Sequence, residues 1–265
     1  MNLNLIFFPT LILTLLIFHF SGSLIKRCKR TEEKRFLFIA AFITSIPGIL
    51  ITLYYLHWFD RAKWFYQLRS LPLIELTVAG LGLLFGVLAE STRYKLVSKT
   101  FLIIILVITV SIPYLKPVVV PLSSDKFKNK WQDGICMQST VSSCGPASAA
   151  TILRFFNIEA TEQEIAGECY TYLGGTENWY LTRALRRRGL RVEYRIADGF
   201  PKDLNLPAIA GVKIGNNGHF IAVLSETNQE YITGDPLKGR QKIAKNQIEN
   251  DFNFTGFFME IQKAN

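Results

Sequence analysis

The chain has 265 residues, is 49% hydrophobic and has a mean hydropathy of +0.20. That apolar excess is unevenly spread, which excludes a single soluble domain. The net charge of +9 is uneven too: residues 1–120 hold 13 Lys/Arg against 5 Asp/Glu, and residues 121–265 hold 17 against 16. A nearly neutral second half excludes a nucleic-acid footprint there.

Four apolar runs fill the first half: Leu5 to Phe20, Phe36 to Tyr55, Leu71 to Ala89 and Leu96 to Tyr114. Each approaches the roughly 20 residues that cross a hydrocarbon core about 30 Å thick. We read them as four transmembrane helices and expect a lipid bilayer as partner. The first run has no basic segment before it, unlike a secretory signal. Ser21-Gly22-Ser23 keeps cleavage open as an alternative to a retained span.

Charge sets the expected topology. The loop after the first span carries Lys26, Arg27, Lys29, Arg30, Lys34 and Arg35 against Glu32 and Glu33, and the loop after the third carries Arg93, Lys95 and Lys99. Positive-inside logic puts both in the cytoplasm. The second loop holds Arg61, Lys63 and Arg69, with Asp60 and the aromatic group Trp58, Trp64 and Tyr66. Both termini, and everything after Lys116, are then expected outside the cytoplasm, on a multi-pass protein of the cell (inner or plasma) membrane. Glu75, inside the third run, is expected near an interface where it reaches headgroups. Gly82 and Gly86 suit close helix contact.

Pro113, Pro117 and Pro121 are expected to end the last span and open an extended linker. We place the domain boundary at 120, giving 1–120 and 121–265. Cys144 to Phe156 reads as a helix, with Pro146 in its first turn and Ala149, Ile152, Leu153 and Phe156 on one face. Thr161 to Cys169 is a second helix, opened by a Thr161/Glu164 capping box. Thr176 to Arg188 is a third, closed by Gly189, with Arg186-Arg187-Arg188 as its solvated end. Strands follow at Val192 to Ile196, Ala208 to Ile214, His219 to Ser225, Glu230 to Thr233 and Gly256 to Ile261, with a short helix within Lys245 to Phe252. Phe155, Phe156, Trp179, Leu181, Leu185, Phe220, Phe254 and Phe258 are the expected core. The second half is therefore α+β, with helices on an antiparallel sheet.

Its chemistry concentrates in four residues. Cys144 stands at a helix start, where the helix dipole favours a thiolate. Gln138 lies six residues before it. His219, the one histidine after residue 57, opens a strand, and Asp235 follows sixteen residues later in Gly234-Asp235-Pro236. An adjacent imidazole activates a thiol, a carboxylate orients the imidazole, and a glutamine amide can stabilise an oxyanion. Each piece alone is weak; together they read as a cysteine hydrolase.

The residues Gln138-Ser-Thr, Ser143-Cys-Gly-Pro-Ala147, Gly218-His-Phe-Ile-Ala-Val-Leu224 and Gly234-Asp-Pro236 resemble the papain-like peptidase domain of bacteriocin-exporting transporters, which cleaves leader peptides after a double glycine. Ala160-Thr-Glu-Gln-Glu164 and Gly175-Thr-Glu177 resemble it as well. The resemblance covers about 125–262. It implies Cys144 as nucleophile, His219 as general base and acid, Asp235 as orienting residue and Gln138 as oxyanion residue. The chain departs from that family in having no phosphate-binding loop, so no ATP is expected. It departs also in an extracytoplasmic C-terminal position for the peptidase.

Several readings stay paired with alternatives. Gly174 and Gly175 either bind substrate backbone or form a helix-entry turn. Cys136 and Cys169 are either a disulfide or two free thiols, and Cys28 is a plain thiol. No metal or other cofactor is expected. The leading function is a membrane-anchored cysteine peptidase acting on an exported or membrane-associated peptide. The alternatives are an amidase or transpeptidase on a non-protein amide, and a catalytically silent peptide-binding module.

Overall fold

The computed structural model describes residues 4–91 and 95–264, without the side chains of 95–98. Arg93, and the side chain of Lys95, lie outside the described residues. The chain divides into two compact units, Leu3–Asp60 with Pro72–Lys116, and Arg61–Leu71 with the segment from Pro117 onward.

The apolar unit contains α1 (Phe7–Arg27), α2 (Thr31–Tyr54), α4 (Leu81–Ser91) and most of α5 (Lys95–Val119). Four segments are long and apolar enough to cross a bilayer: Phe7–Arg27, Thr31–Tyr54, Ile74–Ser91 and Lys99–Val119. Its interior mixes apolar side chains such as Phe18, Ile51 and Leu106 with small and hydroxyl residues. Thr10, Thr14, Ser21 and Ser45 are buried, while Ile12, Leu16, Phe20, Phe42, Phe101 and Ile108 are exposed. Ser45 Oγ donates to the Gly80 carbonyl at 2.8 Å, and Thr10 Oγ1 lies 3.2 Å from the Tyr114 hydroxyl.

A Cβ at Gly82 would fall on the Thr14 carbonyl oxygen, and one at Gly86 on the Phe18 carbonyl and the Ser21 hydroxyl. The expected close contact of these glycines is with α1. The third span is not one α-helix: Ile74–Gly80 winds as a 3-10 helix before α4. Gly80 thereby sits against the Thr44 carbonyl, where no Cβ fits. Glu75 does not reach outward as expected; it is fully buried in this unit. Of the three prolines, Pro113 and Pro117 do not stop the helix, but α5 ends at Val119, just before Pro121.

The second unit is a helical layer on an antiparallel sheet. Its sheet runs in the order β3 (Leu190–Ile196), β8 (Asn253–Lys263), β4 (Ala208–Ile214), β5 (Asn217–Glu226), β6 (Glu230–Asp235) and β7 (Gly239–Ala244). The helices are α6 (Cys144–Phe155), α7 (Glu162–Glu168) and α8 (Asn178–Arg187), with a short α9 (Ile248–Asp251). A small hairpin of β1 (Lys130–Gln132) and β2 (Ile135–Met137) precedes α6. Its turn places Asp133 and Gly134 at positive φ, the Asp-Gly pattern of tight hairpins. Trp179, Leu181, Leu185 and Phe258 are fully buried, as expected; Phe156, Phe220 and Phe254 are half-buried, and Phe155, the last residue of α6, is exposed.

This unit does not begin at residue 121. Arg61–Leu71 is part of it, with α3 (Lys63–Arg69) packed on β3 and α8. The Tyr66 ring lies 5.6 Å from that of Tyr194 on β3 and 5.2 Å from that of Phe257 on β8. The Arg69 guanidinium is buried 4.4 Å above the Trp179 ring. Arg183 donates to the Arg69 carbonyl at 2.6 Å, and Arg186 to Ser70 Oγ at 2.9 Å. Arg186 and Arg187 at the end of α8 are exposed, as expected, and Arg187 and Arg188 both bond the Glu168 carboxylate.

Candidate active site

Cys144 is the first residue of α6 and is nearly buried. A tight turn delivers it: Thr140 N donates to Ser143 Oγ at 3.0 Å, and Ser143 N to the Thr140 carbonyl at 3.3 Å. The small residues after it allow α6 to lie flat on the sheet. A Cβ at Gly145 would stand 3.0 Å from Leu181 and 3.4 Å from Phe220. Ser148 Oγ donates to the Phe220 carbonyl at 3.0 Å, which pins α6 to β5 one residue from His219.

His219 and Asp235 come from neighbouring antiparallel strands. Ala222 faces Gly234 across the β5–β6 ladder, which makes His219 a diagonal neighbour of Asp235 on the same face. His219 Nε2 lies 2.9 Å from Asp235 Oδ1, and both side chains are buried. Asp235 Oδ1 also accepts from Leu237 N at 2.9 Å, which fixes the carboxylate. The Cys144 thiol also acts on this ring, favouring its charged form. With Nε2 engaged by Asp235, Nδ1 is the nitrogen left for sulfur.

Burial of the imidazole opposes its charge, but the hydrogen bonds to Asp235 and Cys144, and their negative charge, outweigh it. The His219 pKa is pushed up to about 9. For Asp235, burial favours the neutral acid, yet the bonds from His219 and Leu237 N hold its pKa below the ordinary value. The pair therefore favours imidazolium beside carboxylate, which is the state that stabilises a thiolate next to it.

Residues 132–265 match the Peptidase C39 family. The chain belongs to the Peptidase C39 family. It is a cysteine peptidase with an α+β domain after four long apolar helices. Two curated relatives, uncharacterized proteins of Methanothermobacter thermautotrophicus and Methanothermobacter marburgensis, are 32% and 31% identical over 134 residues, covering 49% of this chain and 88% of each. Among solved structures, the peptidase domain of Streptococcus ComA, a bi-functional ABC transporter of a quorum-sensing pathway, is 21% identical with a TM-score of 0.43. That alignment covers 49% of this chain and 98% of that one. A double-glycine motif protease from an AMS/PCAT transporter, solved with a leader peptide, is 20% identical with a TM-score of 0.44, covering 52% and 96%.

Around this C39 centre the remaining expected residues fall as follows. Gln138 follows β2, and its backbone N–H donates to the Pro236 carbonyl at 3.0 Å, beside Asp235. One N–H of its amide donates to the Thr140 carbonyl at 2.8 Å, while its Oε1 is buried without a hydrogen-bond partner among the described residues. Gly174 and Gly175 lie in a turn stitched by Tyr172 N to the Gly175 carbonyl at 3.1 Å. Ser142 Oγ donates to the Leu173 carbonyl, which brings this turn next to the nucleophile loop. Gly175 takes a φ of +115°, which disfavours any side chain, and a Cβ on Gly174 would strike the Tyr172 ring. The turn thus needs both glycines for its own shape.

Cys136 and Cys169 are not bridged; both are free and buried. Cys136 packs against Ala147, Ala150 and Trp131, and its backbone N–H is held by Thr151 Oγ1 at 2.9 Å, so its surroundings are those of a core residue. Burial first, then the negative charge of Glu162, pushes the Cys136 thiol up to about 12, and burial raises Cys169 also. Raised values of this kind favour the protonated thiol at neutral pH.

Sequence reasoning missed Glu162 and Ser139. Glu162 is the first residue of α7 and is fully buried. An acidic residue in the first turn of a helix is ordinary, so nothing in the sequence separated it from Glu164, which does form the expected capping box with Thr161.

Proposed function

We propose that this C39 peptidase hydrolyses peptide bonds through Cys144, His219 and Asp235, with Gln138 as oxyanion donor. The observation that carries the reading is the buried His219–Asp235 hydrogen bond, on a ring whose charged form the Cys144 thiol at the start of α6 also favours. The Cys144 thiolate attacks the carbonyl carbon, and the C–S bond forms. The oxyanion takes hydrogen bonds from the second Gln138 amide N–H and the Cys144 backbone N–H. His219 gives its proton to the leaving nitrogen as the C–N bond breaks. Water then attacks the thioester with His219 as base, and the acid leaves.

The substrate is an exported or membrane-associated peptide, held near the enzyme by its apolar spans. The full chain in detergent, mixed with a random-sequence peptide library, is expected to generate new free-acid C-termini by mass spectrometry, and Cys144→Ala to generate none. New termini capped by an added amine would instead mark a transferase. A library left intact by the wild-type chain would sink the peptidase reading.

The same reading places the peptidase outside the cytoplasm. Arg61–Leu71 and the segment after Pro117 form one unit, so they share one side of the bilayer. The first loop, with six basic residues against two acidic between Lys26 and Arg35, belongs on the cytoplasmic side. Protease added to intact spheroplasts is expected to cut the peptidase unit and spare 26–35. The reverse pattern would move the enzyme inside.

A further inference from the structure

Glu162 lies outside the chain of groups that transfers protons, yet its buried carboxylate grips the residue after Gln138. Ser139 N donates to Glu162 Oε1 at 2.7 Å, and Ser139 Oγ donates to Oε2 at 2.5 Å. The same hydroxyl accepts from Lys128 N at 2.8 Å, so its donor and acceptor capacity are both used. On its other side Gln138 is held by its backbone bond to the Pro236 carbonyl. The glutamine thus sits between two anchors, one beside Asp235 and one made by Glu162. Burying a full carboxylate is costly unless hydrogen bonds compensate. Here both oxygens are directed at one loop residue rather than at a cation.

We infer that Glu162 is a positioning residue for oxyanion stabilisation: it fixes Ser139, and through it the backbone of Gln138, so that the glutamine amide meets the developing charge. The inference rests on the oxyanion role proposed for Gln138. It makes a distinction that a general structural role does not. Acylation of Cys144 by an ester passes through a tetrahedral oxyanion. Alkylation of Cys144 by iodoacetamide is a displacement at saturated carbon and forms none. Glu162 should matter to the first and be irrelevant to the second.

The test uses the full chain in detergent, with nitrophenolate release from p-nitrophenyl acetate as one readout and iodoacetamide labelling of Cys144 as the other. Cys144→Ala supplies the background from other nucleophiles. Glu162→Ala is expected to slow acylation about tenfold or more, since a small displacement of a catalytic donor is costly, while alkylation stays within about twofold. Ser139→Ala, which removes one of the two bonds and keeps the carboxylate, is expected to slow acylation about threefold with alkylation unchanged. It decides the matter if Glu162→Ala does not fold. Unchanged acylation overturns the proposal, as does a parallel fall in both rates. Gln138→Ala separates the two levels. If it leaves acylation intact, the oxyanion role of Gln138 fails. If it slows acylation and the Glu162 and Ser139 variants do not, only the positioning role fails.

Discussion

Replacing His219 with alanine is expected to lower peptide hydrolysis by about 10³-fold or more, the scale on which members of a nucleophile–base pair act as one unit. The loss is double. Without the imidazole the attacking sulfur has no base beside it, and the leaving nitrogen has no acid. The same ring sets the alkaline limit of the intact enzyme. Its pKa is raised to about 9 by Asp235 and Cys144, against the opposing effect of burial. It therefore stays protonated across neutral pH, and kcat/KM is expected to fall as pH rises through about 9. The linked stability has the same sign. A group raised in the folded state stabilises fully below its unfolded value of about 6.5 and loses that contribution as pH climbs through about 9. A His219→Ala enzyme with near wild-type hydrolysis, or an alkaline limb near 6.5, would contradict this.

Tyr66→Ala is expected to destabilise the peptidase unit by about 3–5 kcal/mol, the cost of deleting a buried aromatic ring. Tyr66 lies some fifty residues before that unit's main segment, on the short helix α3, but its ring packs on Tyr194 and Phe257. Trp64, on the same helix and about half exposed, provides the control. Its replacement is expected to cost less than about 1 kcal/mol. Hydrogen exchange of β3 and β8 in the full chain reads both. Equal protection in the two variants would mean that Arg61–Leu71 merely rests on the sheet. For the same reason a fragment starting at residue 121 lacks Tyr66 and the Arg69–Trp179 stack, and is expected to be less stable than the full chain.

Much of this was legible where a residue's local chemistry decides its structure. The Thr161/Glu164 box, Gly189 with its positive φ, and β4 at Ala208–Ile214 emerged as expected. The four residues of the candidate site were visible because thiol, imidazole, carboxylate and amide each have a recognisable task. What stayed hidden was set by distant partners. The run from Lys63 to Arg69 reads as an interfacial aromatic loop until Trp179 is placed under Arg69. The strands of the β1–β2 hairpin are three residues each, too short to show a period of two. Prolines 113 and 117 signal a stop, yet α5 continues through both. Two cysteines in one domain suggest a bridge, yet Cys136 and Cys169 are each absorbed into core packing. Glu162 carried no signal, because a helix-start carboxylate looks the same whether it faces water or holds a loop.

The central claim is that Cys144 is paired with His219 as a reactive thiolate. The direct measurement is iodoacetamide labelling of the full chain across pH, with mass-spectrometric assignment of each cysteine. The expected result is rapid modification of Cys144 below pH 7, slowed by His219→Ala, with Cys136 and Cys169 unmodified in the folded protein. Labelling of Cys144 no faster than an ordinary thiol, and indifferent to His219, would contradict the claim.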